Sequence, residues 1–249
     1  MLDAIILCGG RGTRLASVIA DVPKPLAPVS EKPFLDYLLA FLAHSGAVRS
    51  ATLAVHHLAD RIVSHYADHA APLPLRIVKE DRPLGTGGAI MNCLDAVDGP
   101  TFLGFNGDSI CGGDLGALVE AHRAFAPGIT LGLVELADTS RYGRAICGGD
   151  GRIVEFAEKA PSQGAGLINA GVYVIDRQAL APWDGSALSM ERDILPRLVG
   201  EGRVCGARMS GPFIDIGLPE TYAAAADFVR RLEGGQAPDR LGRAELHLS

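Results

Sequence analysis

Gly9-Gly10-Arg11-Gly12-Thr13-Arg14 follows directly on the apolar run Ala4-Ile5-Ile6-Leu7-Cys8. Glycines let main-chain N–H groups approach an anion closely. The guanidinium forks of Arg11 and Arg14 match phosphate oxygens. Lys24 adds a second cation on a segment stiffened by Pro23 and Pro25. Together these residues read as a polyphosphate site for a nucleotide. The loop is not a P-loop, which needs Gly-Lys-Ser/Thr where Gly12-Thr13-Arg14 stands. Nor is it a dinucleotide fingerprint, whose third glycine would fall at Leu15. Read alone, it could equally be a tight turn with solvated arginines.

Two carboxylates could join this site. Asp108 closes Asn106-Gly107-Asp108 after the apolar run Thr101–Phe105, and Asp215 lies within Phe213-Ile214-Asp215-Ile216-Gly217. Carboxylates meeting at a polyphosphate point to Mg²⁺, which takes few protein oxygens and completes its shell with phosphates. Each has a plainer alternative, Asp108 as a turn-forming residue and Asp215 as a helix-capping acid before Pro219. Glu80 precedes the Pro83–Gly88 loop. An ionised carboxylate only accepts hydrogen bonds, which suits the N1–H and 2-amino donors of guanine; the alternative is an exposed loop acid. Glu158-Lys159, with Asn169 and Gly171 further on, could hold a second phosphate and sugar hydroxyls, or be a solvated pair. His56-His57 reads as structural or solvent-facing, and no nucleophilic His or Cys arrangement stands out.

The elements that must place these groups alternate in kind. Strands are predicted at 3–8, Thr52–Val55, Leu75–Lys79, Thr101–Phe105 and Ile129–Val134. Between them, helices are predicted from Pro33 to Gly46, at Leu58–Tyr66, Gly87–Val97 and Leu115–Phe125. The alternation implies an open, mostly parallel sheet flanked by helices, with ligands beyond the carboxyl ends of its strands. After about residue 138 the pattern turns β-rich. Arg144–Cys147, Ile153–Phe156 and Leu167–Ile175 are expected to form a small antiparallel, sugar-facing part. A helix at Met190–Val199, a strand at Arg203–Met209 and a helix at Pro219–Leu232 follow. A single domain over 1–232 is expected, with a nucleotide half over about 1–137, a sugar-phosphate half over about 138–232, and a loose tail over 233–249.

The 249 residues, 48% of them hydrophobic, suffice for one large core. A net charge of −6 argues against nucleic acid or an acidic membrane as partner. The cysteines are scattered and form no CxxC pair, which points to a reducing compartment and away from zinc. No leader or membrane span is visible, so a cytoplasmic location is expected.

In order along the chain stand Gly9-Gly10-x-Gly12-Thr13-Arg14-Leu15, Pro23-Lys24-Pro25, Pro83-Leu84-Gly85-Thr86-Gly87-Gly88, Asn106-Gly107-Asp108, Glu158-Lys159, Asn169-Ala170-Gly171 and Asp215-Ile216-Gly217-x-Pro219-Glu220. This series resembles the sugar-1-phosphate nucleotidyltransferases, over nearly the whole chain to about Tyr222. The stretch from Ser17 to Pro28, with Lys32-Pro33-Phe34-Leu35, is most similar to D-glycero-α-D-manno-heptose 1-phosphate guanylyltransferases.

The resemblance implies a Rossmann-like fold of the nucleotide-diphospho-sugar transferase type. It implies Mg²⁺-dependent transfer of a nucleotidyl group, from GTP by preference, to the sugar phosphate for surface polysaccharide synthesis, with release of pyrophosphate. Arg14, Lys24 and Asp108 are then the catalytic residues, and Asp108 and Asp215 the metal ligands. The nucleotide would meet Leu7, Gly9, Gly10, Gly12, Thr13, Arg14, Glu80, Pro83, Gly85, Thr86 and Gly107. The sugar phosphate would meet Tyr142, Gly143, Glu158, Lys159 and Asn169. Ala160 stands where the family often has proline, a departure that bears on how the lysine loop would be held. A hexose-type enzyme using UTP, dTTP or CTP, and a sensor without turnover, are the rival readings. The oligomeric state stays open, a homo-oligomer included.

Overall fold

The computed structural model describes residues 1–15, 18–19, 21–125, 127–157, 164–180 and 182–233. Glu158, Lys159 and the tail beyond Glu233 lie outside the described residues.

Strand β1 (Leu2–Leu7) leads through a 3-10 turn at Lys24–Leu26 and a short hairpin, β2 (Pro28–Val29) and β3 (Lys32–Pro33), into helix α1 (Phe34–His44). Then come β4 (Val48–Val55), α2 (Ala59–Asp68), β5 (Leu75–Lys79), α3 (Gly85–Asn92) and β6 (Thr101–Asn106). These strands lie parallel in the order β6-β1-β4-β5. The chain steps outward from β1 to β5 and then returns to the other side of β1 as β6. That reversal opens a crevice between the carboxyl ends of β1 and β6, where sheets of this kind bind ligands.

The second half runs through β7 (Ser109–Cys111), α4 (Leu115–Phe125), β8 (Ile129–Leu136), β9 (Arg144–Cys147), β10 (Ile153–Ala157) and β11 (Gly166–Asp176). It ends with α5 (Leu195–Gly200), β12 (Val204–Arg208), β13 (Phe213–Asp215), α6 (Pro219–Ala223) and α7 (Ala225–Glu233). The expected antiparallel pairing is present, but these strands extend the first sheet and do not form a separate layer. The last part of β11 pairs antiparallel with β6, its first part with β9, and nearly its whole length with β8. β10 pairs with β9, and β12 runs parallel to β8. A break in register between Asn169 and Tyr173 bends β11, and Gly171 there packs against Asn106 at the end of β6.

Alternation along β1 shows how both faces are covered. Ala4 and Ile6 point into one apolar cluster and Ile5 into the other, all fully buried. Helix α1 sits on the first face because Phe34, Leu35, Leu38, Leu39 and Leu42 recur at helical spacing, each 0–1% exposed. Burying such a side chain is worth about 1.5–3 kcal/mol.

Boundaries shift where packing overrides local signals. The helix expected at Gly87–Val97 begins at Gly85 and gives way to a 3-10 turn at Leu94–Ala96. The helix expected at Met190–Val199 opens with a π-turn over Met190–Ile194 before α5. The last helix breaks into α6 and α7 at Ala224.

At the far end of the sheet, Asp3 is 4% exposed. Its carboxylate accepts from Arg49 Nε (2.7 Å) and Nη2 (2.8 Å), Ser50 Oγ (2.6 Å) and Asp98 N (2.6 Å). The Arg49 hydrogen bond, more than burial opposes it, holds this carboxyl well below its usual value of 3.8. A depressed carboxyl favours the folded state fully above that value and loses the contribution as pH falls through the folded one. Asp3→Ala is expected to cost about 2–4 kcal/mol in urea unfolding at pH 7. The deficit should shrink below pH 3.8, and a pH-independent deficit would contradict this account.

Candidate active site

A cavity of about 370 Å³ opens at the crevice between β1 and β6. One wall is the end of β1 and its loop, Leu7 to Arg11, and the floor carries Lys24, Asn106 and Asp108. Glu80 stands beside that loop, its Oε1 3.3 Å from where a Cβ on Gly9 would lie, and the Pro83–Thr86 turn into α3 completes the lining. Of the residues expected to bind nucleotide, Leu7, Gly9, Gly10, Glu80, Pro83, Gly85 and Thr86 line this space. Gly12, Thr13, Arg14 and Gly107 are not among its walls, and Arg14 is exposed. Arg11 of the same loop does line it. Gly107 instead answers to packing. Its N–H donates to Leu7 O at 3.0 Å, and a Cβ there would lie 2.7 Å from that oxygen and 2.9 Å from Cys8 Sγ.

Asp108 meets Lys24 at the cavity floor, Nζ to Oδ2 at 2.6 Å. Their side chains are 32% and 14% exposed. Burial pushes the Asp108 carboxyl up. The Lys24 charge and hydrogen bond, with Ser109 Oγ at 3.2 Å, outweigh it and leave the group below the usual carboxylate value. Lys24 is held in place by the 3-10 turn that Pro25 enters.

Asp215 arrives beside Asp108 through a pairing that sequence patterning missed. Three-residue strands β7 and β13 lie antiparallel with Asp215 opposite Ser109, and Ile216 N donates to Asp108 O at 2.9 Å. The Asp215 carboxylate takes a hydrogen bond from Tyr142 OH, one from Gly217 N at 2.8 Å, and the Arg141 guanidinium at 3.4 Å. Arg141 also stacks 5.5 Å over the Tyr142 ring. Burial, and then the hydrogen bond to Asp215, push the Tyr142 phenol up, so it remains a donor at neutral pH. The bond from Gly217 is a turn bond and not a helix cap, since Leu218 holds the N-cap position before Pro219, so Asp215 does not play the capping role of the plainer reading.

The donor set fits a hard divalent cation. Two carboxylates sit at adjoining strand ends, each balanced by a cation of the chain itself. Among the described residues no cluster of three or more His, Cys, Asp or Glu could hold a metal unaided. Two carboxylates with phosphates completing the shell are what Mg²⁺ takes.

Glu80 is 6% exposed, which removes the reading of an exposed loop acid. Its Oε2 accepts from Leu84 N at 3.1 Å. Burial pushes its carboxyl up, against the opposing Leu84 N–H. His56, read from the sequence as structural or solvent-facing, lines the cavity with Nδ1 3.2 Å from Glu80 O. Tyr142, Gly143 and Asn169 are not among the residues lining the cavity; Tyr142 reaches Asp215, and Asn169 N donates to Gly143 O at 2.9 Å. Glu158 and Lys159 fall outside the described residues. Sequence reasoning set His56 aside, named Asn106 only within its motif, and passed over Arg141 and Glu191. Only Arg141 carried a local signal, its place beside Tyr142.

A parallel sheet with a glycine-rich loop at its switch point, continued by antiparallel strands and joined by a two-stranded sheet that brings in a second acid, defines an α/β protein with its crevice at that point. The chain belongs to the nucleotidyl transferase family, whose sequence model matches residues 3–231. It is 34% identical over 235 residues to the mannose-1-phosphate guanylyltransferase of Mycobacterium tuberculosis, covering 92% of this chain and 65% of that protein. It is 33% identical over 225 residues to the D-glycero-alpha-D-manno-heptose 1-phosphate guanylyltransferase of Aneurinibacillus thermoaerophilus, covering 90% of this chain and 96% of that one. The crystal structure of HddC from Yersinia pseudotuberculosis complexed with GMP-PN superposes with a TM-score of 0.82 at 34% identity, covering 92% of this chain and 99% of that chain.

Replacing Lys24 with Met leaves the burial of Asp108 unopposed by the ammonium. The Asp108 carboxyl is then expected to titrate higher than in the wild type in a ¹³C NMR titration. An unchanged value would mean that Lys24 does not hold it down.

Proposed function

We propose that this protein transfers a guanylyl group from GTP to a sugar 1-phosphate, D-glycero-α-D-manno-heptose 1-phosphate by preference, giving the GDP-sugar and pyrophosphate. The product would serve surface polysaccharide synthesis. The observation that carries the reading is the cavity itself, lined by the buried Glu80 carboxylate and by the Lys24–Asp108 pair. The heptose preference is supported by relatives of that activity whose length the chain spans at 96% and 97%. The mannose-1-phosphate enzyme is matched over 65% of its length and supports the alternative hexose substrate.

A sugar 1-phosphate oxygen is already anionic near neutral pH, so the attack needs no strong general base. The protein's task is alignment and charge neutralisation. Lys24 would turn its ammonium toward the α-phosphate, where charge builds during in-line displacement. The loop around Gly9 and Gly10, with Arg11 and Arg14, would take the leaving pyrophosphate. Glu80, on the cavity's inner wall, would accept from guanine N1–H and the 2-amino group. Asp108 and Asp215 would hold Mg²⁺, which when bound neutralises phosphate charge and orients the reacting oxygens. Arg141 and Tyr142 hold the Asp215 carboxylate in place.

Pyrophosphate release measured with Mg²⁺ across GTP, ATP, UTP, dTTP and CTP, each with heptose, mannose and glucose 1-phosphates, tests the reading. Release with GTP and the heptose phosphate is expected. Release with UTP, dTTP or CTP instead would favour the hexose-type enzyme, and well-folded protein without release would favour a sensor. Asp108→Asn is expected to lower turnover by about a hundredfold or more while the fold persists.

Glu80→Gln is expected to lower kcat/KM for GTP by about ten- to hundredfold and to leave UTP use unchanged. An equal fall for both would remove Glu80 from base choice. The same variant should raise thermal stability at pH 8. A carboxyl raised above its usual 4.5 by burial penalises the folded state once it ionises, a penalty absent below that value.

A further inference from the structure

The segment between β11 and α5 crosses back over the first turn of α3. Gly87 N and Gly88 N donate to Leu188 O at 2.9 and 3.1 Å, and Leu188 N donates to Leu84 O at 2.8 Å. The approach is so close that a Cβ on Gly85 would lie 2.5 Å from Leu188 O, and one on Gly87 2.5 Å from Ile194 Cδ1. Gly87 and Gly88 therefore commit their N–H groups to the crossing segment, while Gly85, which also lines the cavity, is required by the close approach of Leu188.

Thr86 shows the same orientation. Its hydroxyl accepts from Met190 N at 2.8 Å and donates to Glu191 Oε2, also at 2.8 Å. Its single proton is committed, so Thr86 shapes the cavity wall without a hydroxyl proton to offer the nucleotide. The Glu191 carboxylate has acceptors pointing both ways. Oε2 takes Thr86 and Ser189 Oγ (3.0 Å), and Oε1 takes Tyr173 OH at 3.4 Å. Tyr173 is fully buried on β11 and its oxygen accepts from Asn169 Nδ2 at 2.8 Å. Asn169 in turn takes Gly171 N on its Oδ1 at 3.0 Å, fixing the bend of β11. Thus one carboxylate joins the wall of the nucleotide cavity to the strand that carries Asn169.

We propose that Glu191 is a positioning residue that couples the nucleotide pocket to the sugar-phosphate side through Thr86 on one oxygen and Tyr173 and Asn169 on the other. The inference rests on the proposed guanylyl transfer and on Asn169 lying at the sugar phosphate. The two oxygens belong to one rigid planar group. A shift of Thr86 when nucleotide fills the cavity is passed to Tyr173 through this one carboxylate. A merely structural acid at the start of the π-turn would stabilise the helix end and leave the two substrates independent.

The test is steady-state kinetics with GTP and the sugar 1-phosphate that supports turnover, on Glu191→Gln, Thr86→Val, Tyr173→Phe and the double variant Thr86→Val with Glu191→Gln, with thermal unfolding recorded for each. Thr86→Val, a change on the nucleotide side, is expected to raise KM for the sugar phosphate by about threefold or more, and Tyr173→Phe to do the same to KM for GTP. Glu191→Gln should raise both, and adding Thr86→Val to it should change the sugar-phosphate KM no further. If each single variant alters only the KM of its own side, or the effects multiply in the double variant, Glu191 does not couple the sites. Glu191→Asp, which keeps the charge but shortens the reach, replaces the Gln variant should that fail to fold, with the same expected pattern. An inactive wild type would instead overturn the guanylyl-transfer reading, and this inference with it.

Discussion

Two carboxylates gathered at the carboxyl edge of a parallel sheet must be compensated, and the rest of the site is arranged around that demand. An ionised acid removed from water is costly unless a cation or several donors face it. Asp108 has Lys24 at 2.6 Å. Asp215 has Arg141, the Tyr142 phenol and the Gly217 N–H. The compensating groups come from three remote parts of the chain: a proline-flanked turn, the loop before β9, and the turn after β13. Each is also a place from which a cation or donor can face a phosphate, so the groups that stabilise the resting site are suited to a highly anionic substrate pair.

The sheet makes this convergence possible. The parallel half alone would leave a crevice open on one side. Antiparallel pairing of β11 with β6 continues the sheet past the switch point, and the register break after Asn169 bends the strand where Gly171 packs against Asn106. Small strands β7 and β13 then bring Asp215 next to Asp108. The antiparallel part is therefore not a separate lid but the continuation of the parallel sheet. Buried hydrogen bonds through Tyr173 and Glu191 cross between the halves for the same reason.

Much of this was legible from the chain alone. The strands at Leu75–Lys79 and Arg144–Cys147 and the helix at Leu115–Phe125 fall where periodicity placed them. Their apolar spacing matches the face they bury, so local and global preferences agree. The glycine loop, Lys24, Glu80 and Asp108 meet at one cavity because each follows a strand of a parallel sheet, and such ends share an edge. Strands β7 and β13 were not legible. Three residues carry no alternation, and their pairing depends on a partner about a hundred residues away.

What the sequence by itself determined, then, is the class of fold and the chemistry of the principal groups. Hydrophobic period sets element type, and glycine, cation and acid in series after strands specify an anion site. The tertiary structure alone decided which groups touch. It turned Arg11 and not Arg14 to the cavity wall, placed His56 beside Glu80, and buried Glu80 deeply enough to shift its carboxyl. It also packed the Gly85–Gly88 glycines against a crossing segment and linked Thr86 to Tyr173 through Glu191. Contacts of this kind depend on the relative placement of distant elements to within an ångström, and side-chain orientation, burial and hydrogen-bond partner follow from that placement, not from residue type.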